Sequence, residues 1–213
     1  MTRAVPRLAH LFWTVALALL SGCPAPPPVV HLGPTRATFG PKEYERTWTR
    51  WTRKGHIIKQ LDTTLRVHAT CFAPEFVAAY VARRAQLFEL PPADRTRLQR
   101  RLLEEWDKDY VFFVAAATVD FSWNDFHHAH SVWRVALVAD NEREVTARSI
   151  ERDSVTAITR ELFPPVGRFH QVYTFRFPRT LADGRPLVDG GTHKLVLRFA
   201  GPLGQTELEW RLR

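Results

Sequence analysis

The densest run of ligand-type side chains is Asp120 to His130, DFSWNDFHHAH. Carboxylates and imidazoles together are a donor set for transition metals, and imidazole suits Zn²⁺ or Cu²⁺ better than Ca²⁺. His128 and His130 are two residues apart and would point the same way in an extended chain. Asp120, Asp125 and His127 could add further ligands. The run matches no established zinc spacing, and no distal ligands stand out. Its flanks are apolar strands, so it reads as a loop, and loops are polar by default. A solvated loop therefore stands beside the metal reading. A metal held by neutral imidazoles would be released below about pH 6. Trp123 and Phe126 in the same run could stack on a sugar or fold down as a lid.

Elsewhere the reactive groups are few. Cys71 falls on the apolar side of an alternating strand, which predicts a buried small hydrophobe rather than a catalytic thiol. Glu104-Glu105 falls on a charged helix face, and Glu207 with Glu209 alternates outward on a strand. No nucleophile elbow, phosphate-binding glycine loop, HExxH or CxxC occurs. Tyr44, Trp48 and Trp51 recur at helical spacing within Pro41 to Lys54, and Arg46, Arg50, Arg53 and Lys54 line the rest of that surface. Two roles fit this stretch. The aromatic stripe can pack on the core, or Trp48, Trp51, Arg50 and Arg53 can touch a membrane or a partner.

The thiol of Cys23 is a different case. Arg3 and Arg7 precede an uncharged apolar run, Leu11 to Leu20, which is followed by Ser21, Gly22 and Cys23. A bilayer span needs about 20 apolar residues, so this run matches a secretory signal rather than a stop-transfer helix. Leu20-Ser21-Gly22-Cys23 resembles the lipobox of bacterial lipoproteins. The resemblance implies that residues 1–22 are a cleaved signal. It also implies that the Cys23 sulfur carries a diacylglyceryl group and that the new amino terminus is acylated. In that family an Asp after the Cys retains the protein at the inner membrane. Pro24 stands here instead, which implies the outer membrane, with the domain facing the periplasm. One acyl chain holds a protein marginally, whereas two or three hold it durably. Beyond this segment, the mature chain resembles envelope lipoproteins to which no activity is assigned.

The 213-residue chain is 45% hydrophobic and 12% aromatic, enough for one ordinary core. Its formal charge is +8, falling to +6 once Arg3 and Arg7 leave with the signal. The excess is spread along the chain and favours anionic head groups or envelope polysaccharide as partners. No nucleic-acid motif is present, and export argues against such a partner.

The elements that must position these residues follow from periodicity. The prolines of Pro24 to Pro28 open an extended tether over residues 23–40, with no packed structure expected. A single domain over residues 41–213 begins with the Pro41–Lys54 helix, closed by Gly55. Strands are predicted at 61–72, 110–119, 132–139, 144–150, 169–177, 195–199 and 208–212, with two helices inserted at about 73–108 after the first strand. Seven strands with short turns predict a mainly β fold, an immunoglobulin-like β-sandwich with a two-helix insertion. The expected function is a non-enzymatic binding or structural module with no required cofactor, meeting an envelope protein or polysaccharide. A metal-dependent hydrolytic protein and a solute- or glycan-binding accessory are the alternatives.

Overall fold

The structure, a computed structural model, describes residues 26–213 except positions 36, 38, 60 and 141. Among these lie β1 (Val29–Val30), α1 (Pro41–Trp51), β2 (Thr52–Lys59), β3 (Asp62–Cys71), α2 (Pro74–Phe88), α3 (Pro92–Lys108) and β4 (Asp109–Thr118). They are followed by β5 (Arg134–Ala139), β6 (Arg143–Thr146), β7 (Ser149–Asp153), α4 (Ala157–Leu162), β8 (Gln171–Pro178), β9 (Lys194–Gly201) and β10 (Gly204–Leu212). The fold is mainly β, with two five-stranded sheets ordered β1-β10-β9-β5-β6 and β2-β3-β4-β8-β7. Every strand pair is antiparallel except β1 with β10.

The near-continuous apolar run of β4 is explained by its place at the centre of its sheet, covered on both faces. Its inward set, Phe112 and Val114, joins Leu65, Val67, Phe175 and Phe177 in one apolar cluster. Leu137, Leu197, Phe199, Leu208 and Trp210 from the other sheet belong to the same cluster. Phe112 meets Trp210 at 5.2 Å between ring centroids, and Phe175 meets Phe199 at 6.1 Å. The outward set of β4 is covered by helices, and Phe113 stacks on Phe163 at 3.7 Å.

Prolines fix the helix starts. Pro41, Pro74 and Pro92 occupy first-turn positions, where a missing N–H costs nothing. Glu89 closes α2 in the left-handed conformation, and Pro91-Pro92 separates it from α3.

Four expectations change. First, ten strands form among the described residues rather than seven. Second, β1 arises inside the expected tether, where Val30 is buried against the core. Third, the first helix ends at Trp51, and β2 follows at once. Gly55 is not a helix stop but a close approach between strands, since a Cβ there would lie 2.7 Å from Thr206 Oγ1. Fourth, the 144–150 stretch divides between sheets: β6 pairs with β5, and β7 pairs with β8. The two-helix insertion lies where the pattern put it, but it follows the third strand because β1 and β2 precede it.

Candidate functional site

The Asp120–His130 loop joins β4 to β5 through a short 3₁₀ turn at Phe121–Trp123. Its acidic groups are spent on the loop itself. Asp120 Oδ1 accepts from the Ser122 N–H at 2.8 Å and from Ser122 Oγ at 2.7 Å, which holds its carboxyl below the usual range. Asp125 accepts from Ser131 Oγ at 2.8 Å through one oxygen and from the Val132 N–H at 3.0 Å through the other. The chain around the histidines is turned rather than extended, because the His128 N–H donates to the Asp125 carbonyl at 2.8 Å. The alternation that would align His128 with His130 is therefore lost, and both rings are exposed. His127 lies 4.1 Å from the His128 ring centroid, and burial, then the neighbouring His128 charge, lowers its pKa. Among the described residues, no three His, Cys, Asp or Glu side chains gather as a metal-ligand set.

What fixes this loop was not legible in its polar pattern. Asn124 is 3% exposed, and its Nδ2 donates to the Ala116 carbonyl at 2.9 Å. The Tyr173 hydroxyl donates to the Asn124 carbonyl at 2.6 Å, and burial raises its pKa to about 12. Phe126 is buried against Trp133 and Phe199, so it plugs the core instead of covering a ligand. Trp133 Nε1 donates to the Trp123 carbonyl at 2.6 Å.

The aromatic helix faces inward. Trp51 is fully buried, and its Nε1 donates to Glu75 Oε2 at 2.9 Å while Arg50 holds the other oxygen at 2.7 Å. Arg53 donates from Nε to the Glu209 carbonyl at 2.6 Å and lies 5.5 Å from the Trp210 ring centroid. Burial lowers its pKa to about 10. Trp51 and Arg53 thus serve the junction of α1, β2 and β10, and the buried Trp51 ring is not presented at the surface. Trp48 is half-buried beside Tyr44 and Glu161. Cys71 lies in the core, and desolvation pushes its thiol up to about 12. Cys23 lies outside the described residues.

Another arrangement suited to a ligand is a cleft that no motif announced. It lies between α2, α3 and α4 on one side and the outward face of β4 and β8 on the other, with a volume of about 370 Å³. Phe72, Val111, Phe113, Val172, Leu162 and Phe163 give it apolar lining, and polar groups line the rest. Arg84, Arg101 and Arg176 stand around it with Glu105 and Asp153. Arg176 is paired with Glu151 at 2.8 Å, and Asp153 accepts from Thr174 Oγ1 at 2.7 Å. Arg84 donates to the Tyr80 hydroxyl at 2.9 Å. Among the described residues, neither Arg84 nor Arg101 pairs with a carboxylate. The sequence signal was faint: Tyr80 with Arg84 and Leu98 with Leu102 have helical spacing, but the cleft exists only once three helices meet the sheet.

No protein family matches the chain, and no curated protein does. A solved structure of a protein of unknown function from Burkholderia pseudomallei K96243 is similar at 12% sequence identity, with a TM-score of 0.41, over 79% of this chain and 81% of that one.

Proposed function

We propose that this chain is a lipid-anchored envelope protein that binds a small amphipathic anion in the cleft beneath its helical insertion. The anchor rests on Leu20-Ser21-Gly22-Cys23, and the Pro24 position favours the outer membrane with the domain in the periplasm. The binding role rests on one observation: a cleft of mixed lining in which apolar side chains stand beside guanidinium groups, two of them free of carboxylates. Its size falls within the roughly 300–1,000 Å³ of small-molecule sites. Apolar lining takes a hydrocarbon body, and unpaired guanidiniums take a carboxylate or phosphate.

The scaffold fits an immunoglobulin-like sandwich. The orders β3-β4-β8-β7 and β10-β9-β5-β6 correspond to A-B-E-D and G-F-C-C′ of that architecture. In this lettering the helical insertion lies between A and B, β2 is an added edge beside A, and β1 runs beside G. Such folds carry many functions, so the cleft bears the functional argument.

Titration of the purified full chain with dodecanoate tests the proposal. Saturable one-to-one binding is expected, weakened about tenfold or more by Arg84→Ala with Arg101→Ala, given what one charge-assisted hydrogen bond contributes. Equal affinity in wild type and the double variant would contradict it.

A further inference from the structure

The two sheets share an end at which apolar side chains are left uncovered. Lys59 pairs with Asp62 at the β2–β3 turn, Leu65 with Thr118 near the close of β4, and Ala116 with Gln171 at the start of β8. The β9–β10 turn belongs to the same end, because a Cβ on Gly204 would lie 2.6 Å from Ile57 Cγ2. Eight large apolar side chains are exposed among the described residues, and five sit here: Ile58, Leu61, Val119, Phe121 and Phe169. The 179–193 loop, at the opposite end, carries none of the eight. Soluble surfaces seldom gather apolar groups in this way unless something covers them.

Leu61 adds a second observation. It is 99% exposed and has φ 71, a conformation that Gly or Asn adopts at far lower cost. A leucine that touches nothing yet holds a strained backbone gains nothing within the fold. Lys59 and Arg168 are exposed among these apolar groups, and neither meets a carboxylate among the described residues.

The path of the chain points to the same end. β1 runs parallel to β10, so residues 26–28 lead back toward Gly204 rather than toward Leu212. Arg53 Nη2 holds the Pro28 carbonyl at 3.3 Å on this path. Val29 is level with Arg211, seven residues or about 23 Å from the start of β10. Cys23 lies six residues before Val29, a reach of up to about 20 Å.

We infer that this end rests on a lipid leaflet. Ile58, Leu61, Val119, Phe121 and Phe169 enter the head-group region, while Lys59 and Arg168 meet anionic head groups. The inference rests on the lipid attachment at Cys23 proposed above. It gives the domain a fixed orientation, with the 179–193 loop pointing away from the membrane.

The test uses the full chain, purified from membranes and reconstituted in vesicles of phosphatidylethanolamine and phosphatidylglycerol. Bimane is attached at Leu61→Cys or, in separate samples, at Phe169→Cys or at Asp183→Cys in the far loop. Cys71 is buried and stays unlabelled. Dye at 61 and 169 should be quenched by spin-labelled lipid several-fold more than dye at 183. Equal quenching at the three positions, in vesicle-bound protein whose Cys23 is acylated by mass spectrometry, overturns the inference and leaves the anchor standing. A disulfide between two copies of the unlabelled Leu61→Cys variant in vesicles, with no lipid quenching of dye at 61, also overturns it, since a second copy would then cover this end. An unmodified Cys23 overturns both readings.

Discussion

Single residues carry opposite messages here. Leu61 is a cost to the fold, since a left-handed leucine gives up about 1–2 kcal/mol. Leu61→Asn should therefore raise the stability of the protein in detergent by about 1 kcal/mol, read as a higher urea midpoint at unchanged slope. Unchanged or lower stability would show that the leucine is not strained. His68 gives a pH signature. Burial, then the facing His170, Arg66 and Lys54, lowers its pKa to about 4, and burial with Arg66 lowers that of His170. Between pH 6.5 and 4 the unfolded chain thus binds more protons than the folded one, so stability is fully present above pH 6.5 and falls as the pH drops toward 4. Urea melts at stepped pH should show that slope, and His68→Gln should flatten it. A slope unaltered by the substitution would assign it to other groups. Cys71 was legible because its strand alternates strictly. Leu61 was not, because backbone strain leaves no mark on composition.

At the scale of elements, the sequence is most transparent where prolines and alternation agree. α2, α3 and β4 lie close to where periodicity put them, since Pro74, Pro91-Pro92 and the apolar run leave few options. The boundary between α1 and β2 was hidden because no breaker separates Trp51 from Thr52, and Gly55 imitates a helix stop. β6 and β7 merged because Ala147-Arg148 carries no turn residue. The anchorage of the histidine loop was hidden for a related reason. The loop's visible residues are the solvated ones, whereas Asn124 and Phe126 hold it to the core. Asn124→Leu should leave the Ala116 carbonyl without its side-chain donor, while the Tyr173 hydroxyl keeps the backbone carbonyl of residue 124, and should cost about 1–3 kcal/mol. Chemical denaturation measures this, and a variant as stable as wild type would remove Asn124 from its structural role.

For the whole molecule, the two sheets make a scaffold with two distinct surfaces. The cleft beneath the helices is on the outward side of β4 and β8, and the exposed apolar end closes the same sheet at its edge. On the proposed anchoring, a protein held by that end would keep its cleft open to solvent beside the membrane. The mainly β character was legible in outline from the alternating runs and the inserted helices, though the strand count was not. The cleft was not, because it depends on how three helices seat on a sheet. All of this presumes attachment through Cys23, so the intact mass of the mature protein extracted from membranes is the direct test. The account predicts a chain beginning at Cys23 that carries a diacylglyceryl group on sulfur and an acyl group on the new amino terminus. A mature chain that begins elsewhere, or one with a free thiol at position 23, would contradict it.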